Sequence, residues 1–480
     1  MHSNSAAKIA TVWLPALLLA VMVSAQTSQT VQPAEPYAVS KVRIVRISQV
    51  KGEVQLDRAN GRGYEPAITN LPVVENSRLT TGNGVAEVEF EDNSSLRVTP
   101  NSLLEFPKLE RLPGGTTLSS VHLVKGAAYV SLMKTPGNEF NLSFGEHNLR
   151  LSAASHVRLE VEGDQARLAV LEGTVHVESA AGVMDVPRKK SVTFEMNQSS
   201  MPTVAKAFTA SSFDTWDHNA AEYHSQLANT SSLVGSPYTY GASDLGYYGN
   251  FASYGGCGTM WRPYFASAAW EPYANGSWAW YQGAGYSWVS PYPWGWMPYH
   301  SGDWSFCPGT GWGWRQGGSW MGLNNIATSA GAGRPIHGPT MPPHPPHLGE
   351  LTLKAVNVSP LVRSEATPDS FLFRRDSAGL GIPRDGLGKL EKFSQHANDK
   401  GTARTAIYFE ASSMPSGAKG HSATPSMLSM HRGSPPPSES SSSLNGGQSA
   451  RSTSSSTSGS ISGQTSSAHS SSSSSSSGHR

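Results

Sequence analysis

The sequence predicts an all-β protein: a β roll or sandwich, a short helix linker, a small aromatic-rich antiparallel β module and a long disordered C-terminal tail. Three features carry that reading. From Lys41 to about Met201, apolar and polar residues alternate, with turn residues between the runs. Tryptophan, tyrosine and glycine then crowd between Gly235 and Trp320. Beyond Trp320 proline, glycine and serine take over and no apolar period lasts. At ~100–200 residues per domain, the chain divides into a signal peptide at 1–25, a β domain at 41–201, a helical linker at 205–230, the aromatic module at 235–320 and a mostly disordered Pro/Ser-rich tail at 321–480.

The N-terminus reads MHSNSAAKIATVWLPALLLAVMVSAQTSQT. Lys8 precedes an apolar run from Ile9 to Val23, and Val23-Ser24-Ala25 offers small residues before Gln26. This is the three-part pattern of a secretory signal. The run falls short of the ~20 apolar residues that span a bilayer. Cleavage is therefore expected, with export to the periplasm or cell surface and no transmembrane span left afterwards. Net charge is +1, from 36 basic and 35 acidic residues, which leaves no electrostatic footprint for nucleic acid.

In VAEVEFEDNSSLRV, Ala86, Val88 and Phe90 alternate with Glu87, Glu89 and Glu91; Asp92-Asn93-Ser94 turns the chain, and Leu96 and Val98 resume the apolar face. The alternation recurs through Val157, Leu159 and Val161, a Gly163-Asp164 turn, then Ala166, Leu168 and Val170, and after Gly173 through Val175 and Val177. Antiparallel strands with one face on a core and one in water give this pattern. Half-apolar sheets must cover one another, so a roll or sandwich of ~160 residues is the expected solution.

Three ordered pieces, LTTGNGVAEVEFEDNSSLRVTPNSLLEF from Leu79, LVKGAAYVSL from Leu123 and VLEGTVHV from Val170, resemble the FecR domain family. Two positions depart from its pattern: the family's glycine-threonine appears as Ala154-Ser155, and its closing glycine turn as Pro187-Arg188-Lys189. The resemblance implies an extracytoplasmic domain of the kind that relays a signal from an outer-membrane receptor to a cytoplasmic sigma factor. Only seven residues precede Lys8, too few for a folded cytoplasmic part. The recognition half without the relay is the expectation.

In SSFDTWDHNAAEYHSQL, Ser211 stands three residues before Asp214 as a capping box, and Phe213, Trp216, Ala220, Tyr223 and Leu227 follow at helical spacing. Asp214, His218 and Glu222 stack four apart, but the outer two would lie ~12 Å apart, too far for one ion. A solvated polar face is the better account.

Between 235 and 320 lie eleven of the 13 tryptophans and eleven of the 16 tyrosines, and the only residues of Asp, Glu, Lys or Arg type are Asp244, Arg262, Glu271, Asp303 and Arg315. Trp270, Gly276, Trp280, Gly285 and Trp288 recur 26 residues later as Trp296, Gly302, Phe306, Gly311 and Trp314, and Gly258-Thr-Met-Trp261 is a partial third copy. Asn275-Gly276, matched by Ser301-Gly302, is the hairpin signal, so each copy reads as strand-turn-strand. Trp278 and Trp280, Trp294 and Trp296, and Trp312 and Trp314 are each two apart and share a strand face. Two uses of these six rings stay open. They form an aromatic core for a module too small for an aliphatic one, or a displayed surface on which sugar rings or another flat ligand stack. Single-stranded nucleic acid is disfavoured, because its stacking platforms need a basic groove.

The only cysteines, Cys257 and Cys307, fall in the same stretch. In an exported chain they are candidates for a disulfide worth ~4 kcal/mol, with two packed free thiols as the other outcome. Trp261-Arg262-Pro263, Trp270-Glu-Pro-Tyr273, Gly276-Ser-Trp278, Trp294-Gly-Trp296 and Pro298-Tyr299 resemble a tryptophan- and tyrosine-rich family of unknown function often found behind FecR domains. That resemblance implies an architecture and no activity.

In the tail, His337, His344 and His347 stand in a proline-rich connector as incidental residues. The stretch FLFRRDSAGLGIPRDGLGKL, from Phe371 to Leu390, reads either as a docking peptide or as a solvated linker. The end, with eight serines from Ser470 to Ser477, cannot bury enough apolar surface to offset its ordering entropy.

No nucleophile elbow, phosphate loop, HExxH pair or cysteine metal cluster occurs in the sequence. The expectation is a non-catalytic exported binding or scaffold protein, without cofactor or metal, whose partner is a cell-envelope protein or polysaccharide. The alternative is an extracytoplasmic signal-sensing component related to FecR sigma-factor regulators.

Overall fold

Period-two segments become strands, and here they form two layers that share one strand. The computed structural model describes residues 42–179, 182–196, 202–227, 238–317, 320–325, 354–356, 370–384 and 389–406. Residues 1–25, expected to be a signal peptide, and His337, His344, His347 and the serine run lie outside the described residues. A front sheet pairs Val45–Lys51, Val85–Glu89, Ser95–Val98, His156–Glu162, Gln165–Glu172 and Ser191–Glu195. A back sheet pairs Val54–Asp57, Arg78–Thr81, Leu103–Arg111, Glu139–Phe144, His147–Leu151, Thr174–Ser179 and Gly182–Pro187. The strand Thr117–Ser131 belongs to both and passes from one to the other at Gly126. Its φ there is 89°, and a Cβ would stand 2.5 Å from the Ser102 Cα, so only glycine fits the crossing. Val88, Leu96 and Leu159 from the front and Leu56, Leu104 and Leu142 from the back fill one core. The all-β fold is present, with Glu139–Phe144 running parallel to Thr117–Ser131 as the one parallel pairing among the described residues.

The outer face of the front sheet is not wet. Glu87 is 1% exposed and Glu89 0%, and Arg46, Arg97, Tyr129 and Arg158 on the same face are buried as well. Helix α1 (Asp214–Leu227) and helix α2 (Ala242–Tyr248) close over it. Alternation reports which side chains share a face; it cannot distinguish water from a further layer of protein. The start of α1 follows the capping box: the Ser211 N–H donates to Asp214 Oδ2 at 2.8 Å and the Phe213 N–H to Ser211 Oγ at 3.3 Å. His218 and Glu222 are exposed. Asp214 departs from the expected solvated face, because it accepts hydrogen bonds from Tyr129 at 2.8 Å and Arg158 at 2.6 Å on the sheet. The segment read as a linker therefore acts as a cover.

The aromatic module is built from three hairpins: Gly249–Tyr254 with Gly258–Pro263, Gly276–Tyr281 with Gly285–Val289, and Asp303–Cys307 with Gly311–Arg315. Their turns are Gly256-Cys257-Gly258, Gly283-Ala284-Gly285 and Gly309-Thr310-Gly311, every glycine at positive φ. Asn275-Gly276 and Ser301-Gly302 are thus not the hairpin turns; each leads into a first strand. Their glycines serve a ring instead. A Cβ on Gly276 would stand 2.0 Å from the Trp288 indole, on Gly302 2.6 Å from Trp314, and on Gly249 2.5 Å from Trp261. The partial third copy is therefore a complete unit beginning at Gly249. The first and third hairpins join one sheet at Trp261 and Trp314, and helix α3 (Met297–His300) lies between the second and third.

Within the stretch expected to be mostly disordered from 321, residues 370–384 and 389–406 form a folded unit. Ser370–Arg374 pairs with Thr402–Ala406, and helix α4 (Leu390–Lys400) lies between them in the chain. Phe373 stacks on Phe265 and Phe393 with centroids 5.3 and 5.5 Å apart. Trp294 Nε1 donates to the Ala378 carbonyl at 2.7 Å, and the Tyr248 hydroxyl to that of Ile382 at 2.8 Å. Of the two readings of this stretch, the docking peptide is the one that folds, and its dock is the same chain.

Candidate functional site

Strand register begins the site. Arg46 lies opposite Glu89 and Glu87 opposite Arg97, so each acid meets a guanidinium across a front-sheet ladder. Arg46 Nε donates to Glu89 at 2.6 Å and Arg97 Nε to Glu87 at 2.9 Å. Helix α1 adds Asp217, which accepts from Arg97 Nη1 at 2.8 Å and lies 2.7 Å from His156 Nε2. The same helix brings His224 Nε2 to 3.0 Å from Glu87 Oε1. Helix α2 adds Asp244, ion-paired with Arg46 and hydrogen-bonded by the Tyr223 hydroxyl at 2.9 Å. Arg384, from the stretch before α4, closes the network. Its Nε and Nη2 donate to the two Asp244 oxygens, each at 2.8 Å, and its Nη1 to Glu87 at 2.6 Å.

Burial alone would raise the Glu87 carboxyl, but His224, Arg384 and Arg97 outweigh it and hold the group well below the usual range. Burial also opposes ionisation of Asp244, and Arg384 and Arg46 likewise bring it down. Four acids (Glu87, Glu89, Asp217 and Asp244) and three arginines thus close a joint between the β domain, its helical cover and the aromatic module. Neutral contacts reinforce it. Asn70 donates to the carbonyls of Ser290 and Tyr292 at 2.9 and 2.6 Å, while Tyr240, Tyr281 and Trp296 extend into the core of the β domain. Such an arrangement fixes register and orientation; removing one partner would strand the others at a cost of ~3–5 kcal/mol.

The six tryptophans do not come together as a stacking surface. Trp278, Trp294, Trp296, Trp312 and Trp314 are buried, and Trp280 is half-buried. Trp294 stands at the centre of the module, parallel to Tyr292 at 4.9 Å and against Trp261 at 4.8 Å. Trp296 faces the other core beside Tyr240 and His300, at 5.1 and 4.1 Å. Trp278 packs on Trp288, Trp312 on Phe306 and Trp314 on Phe251. The displayed-face alternative fails because these hairpins have no aliphatic core of their own, so the rings are consumed in building one. Cys257 and Cys307 form a disulfide with Cα atoms 5.9 Å apart, closing 50 residues. It ties the turn of the first hairpin to the third.

Sequence reasoning missed the joint, although a signal was there. A run of alternate glutamates, Glu87, Glu89 and Glu91, stands in a strand-rich segment that also carries Arg43, Arg46 and Arg97, and Asp244 is one of few acids in a ring-rich block. Among the described residues no three His, Cys, Asp or Glu side chains form a metal-holding group, and no helix is long and apolar enough to cross a membrane.

Comparison with known proteins agrees with this architecture. Residues 77–176 match the FecR protein family, and residues 242–331 match a family of unknown function, DUF6600. The chain therefore carries a FecR-like segment followed by a DUF6600-like segment. Two crystal structures of a protein assigned provisionally as an anti-sigma factor, from Parabacteroides distasonis, are similar at 13% identity and a TM-score of 0.24. The match covers 27% of this chain and 59% and 58% of those chains, so only part of their length is spanned. A search of curated proteins gives no match.

Proposed function

We propose that this is an exported, non-catalytic recognition protein that binds a cell-envelope protein or polysaccharide, with the FecR domain and the aromatic module acting together. The buried ionic joint carries the reading. Its acids are directed at arginine, histidine and tyrosine partners inside the protein, which supports a role in holding two domains at a fixed geometry. A secretory-type N-terminus and the Cys257–Cys307 bridge support an oxidising compartment. The FecR match favours a second, narrower reading, in which recognition serves signal sensing.

Cell fractionation with N-terminal sequencing tests the proposal. The mature protein should begin at Gln26 and sediment with isolated envelopes. A protein that keeps Met1 in the cytoplasmic fraction, or that stays in the supernatant at every envelope concentration, would overturn it.

A further inference from the structure

One feature of the folded C-terminal unit takes no part in the joint. Lys389, Lys392, His396 and Lys400, with Phe393 and Ala403, line a cleft of about 540 Å³. Steps of three, four and four residues place the four cationic positions along one side of α4, a ladder of roughly 16 Å at 1.5 Å per residue. The helix turns Leu390, Ser394 and Ala397 to the core, leaving those four exposed. No described acidic side chain forms an ion pair with any of them, and Glu391 and Asp399, the two acids of α4, do not line the cleft. His396 Nδ1 donates to the Lys392 carbonyl at 3.0 Å, which leaves Nε2 as the ring nitrogen free for a ligand. Residues 370–406 hold seven basic against four acidic residues, in a chain whose total excess is one. Positive charge is concentrated on this unit.

We infer that the cleft binds a linear acidic polysaccharide, with carboxylates along the ammonium ladder and a sugar ring against Phe393. A row of separated point charges suits a repeating anion better than a single one. Lysine is a compact donor that needs no bidentate geometry, which fits carboxylates presented at varying angles. Single-stranded nucleic acid is the poorer fit, because its bases need successive stacking rings and Phe393 is the one Phe, Tyr or Trp that lines the cleft. The inference rests on the envelope-binding reading and deepens it by naming the polymer chemistry.

The test is titration of the full chain with polygalacturonate at low and high salt, with dextran as the neutral polymer and a thymidine oligonucleotide as the other polyanion. Binding to polygalacturonate should weaken with salt and be absent for dextran. Lys392→Glu combined with Lys400→Glu should weaken it by at least ~10-fold, and the corresponding glutamines by less, whereas Arg150→Glu with Arg188→Glu on the β domain should change it by less than ~2-fold. Tryptophan fluorescence checks that each variant is folded. Absence of binding, indifference to the α4 substitutions, or tighter binding of the oligonucleotide would each overturn the inference. A protein that fails here but begins at Gln26 and sediments with envelopes leaves the broader reading standing.

Discussion

Ala154 holds a φ of 60°, in the left-handed region where a Cβ crowds the next carbonyl. It stands where the FecR pattern has glycine, and Lys189, in the segment that replaces the closing glycine turn, has a φ of 64°. The turns survive without the residue that suits them. Ala154→Gly should therefore stabilise the β domain by up to about 1 kcal/mol, read as a higher Tm; a lower Tm would mean that the turn had relaxed to suit alanine. His300 makes a second case. Burial lowers its pKa to about 4, against the hydrogen bond from Nδ1 to the Gly322 carbonyl and with a further push from Arg46. The folded protein keeps the ring neutral, while the unfolded chain protonates it near 6.5. Stability is complete above pH 6.5 and is lost as pH falls toward 4, by roughly 3 kcal/mol in the limit. Denaturant melts across that window should show the decline, and His300→Gln should flatten it. A slope unchanged in the variant would place the titration elsewhere.

At the scale of elements, the three hairpins depend on a glycine lying under a tryptophan. Gly276→Ala should destabilise the module by about 2–3 kcal/mol, since the Cβ would overlap the Trp288 ring. Gly255→Ala, with no atom within 4 Å of a Cβ, should melt close to wild type. Equal melts for the two would show that the ring moves aside freely. The repeat itself was legible in the sequence, because a constant offset and tryptophans two apart are local features. The role of its glycines was not. Asn-Gly is a strong turn signal, yet at Asn275-Gly276 a ring from twelve positions later decides what the glycine is for. The same limit applies to Glu87 and Glu89. Alternation placed them on one face correctly, but their cover comes from α1, α2 and Arg384, which lies 297 residues from Glu87. The folded unit at 370–406 was hidden for a related reason: its anchors, Phe373, Ala378, Leu380 and Ile382, are five, two and two residues apart in a glycine-spaced stretch too short for a period to show.

For the whole molecule, Arg384 is the residue through which the C-terminal unit reaches both domains. Arg384→Ala leaves Glu87 and Asp244 short of a buried cation and should destabilise the protein by about 3 kcal/mol or more. Hydrogen exchange should rise across residues 370–406 and in α1, well away from the far strands of the back sheet. If exchange in α1 is unchanged, the network does not couple the two. Arg384→Met, which refills the space without charge, should destabilise as well, because the acids it leaves behind remain buried.

Glu87 and Arg384 are also separated in time. Synthesis delivers the chain from its N-terminus, so the front sheet emerges long before the guanidinium that completes its outer face. A β domain waiting with that face apolar would be a sticky intermediate, open to any neighbouring chain. With glutamates and arginines there, the unfinished surface hydrates well and has little to offer a wrong partner. In the folded protein α1, Asp244 and Arg384 take the place of that water. The residues that look least suited to a protein interior are those that allow it to be covered by segments synthesised later.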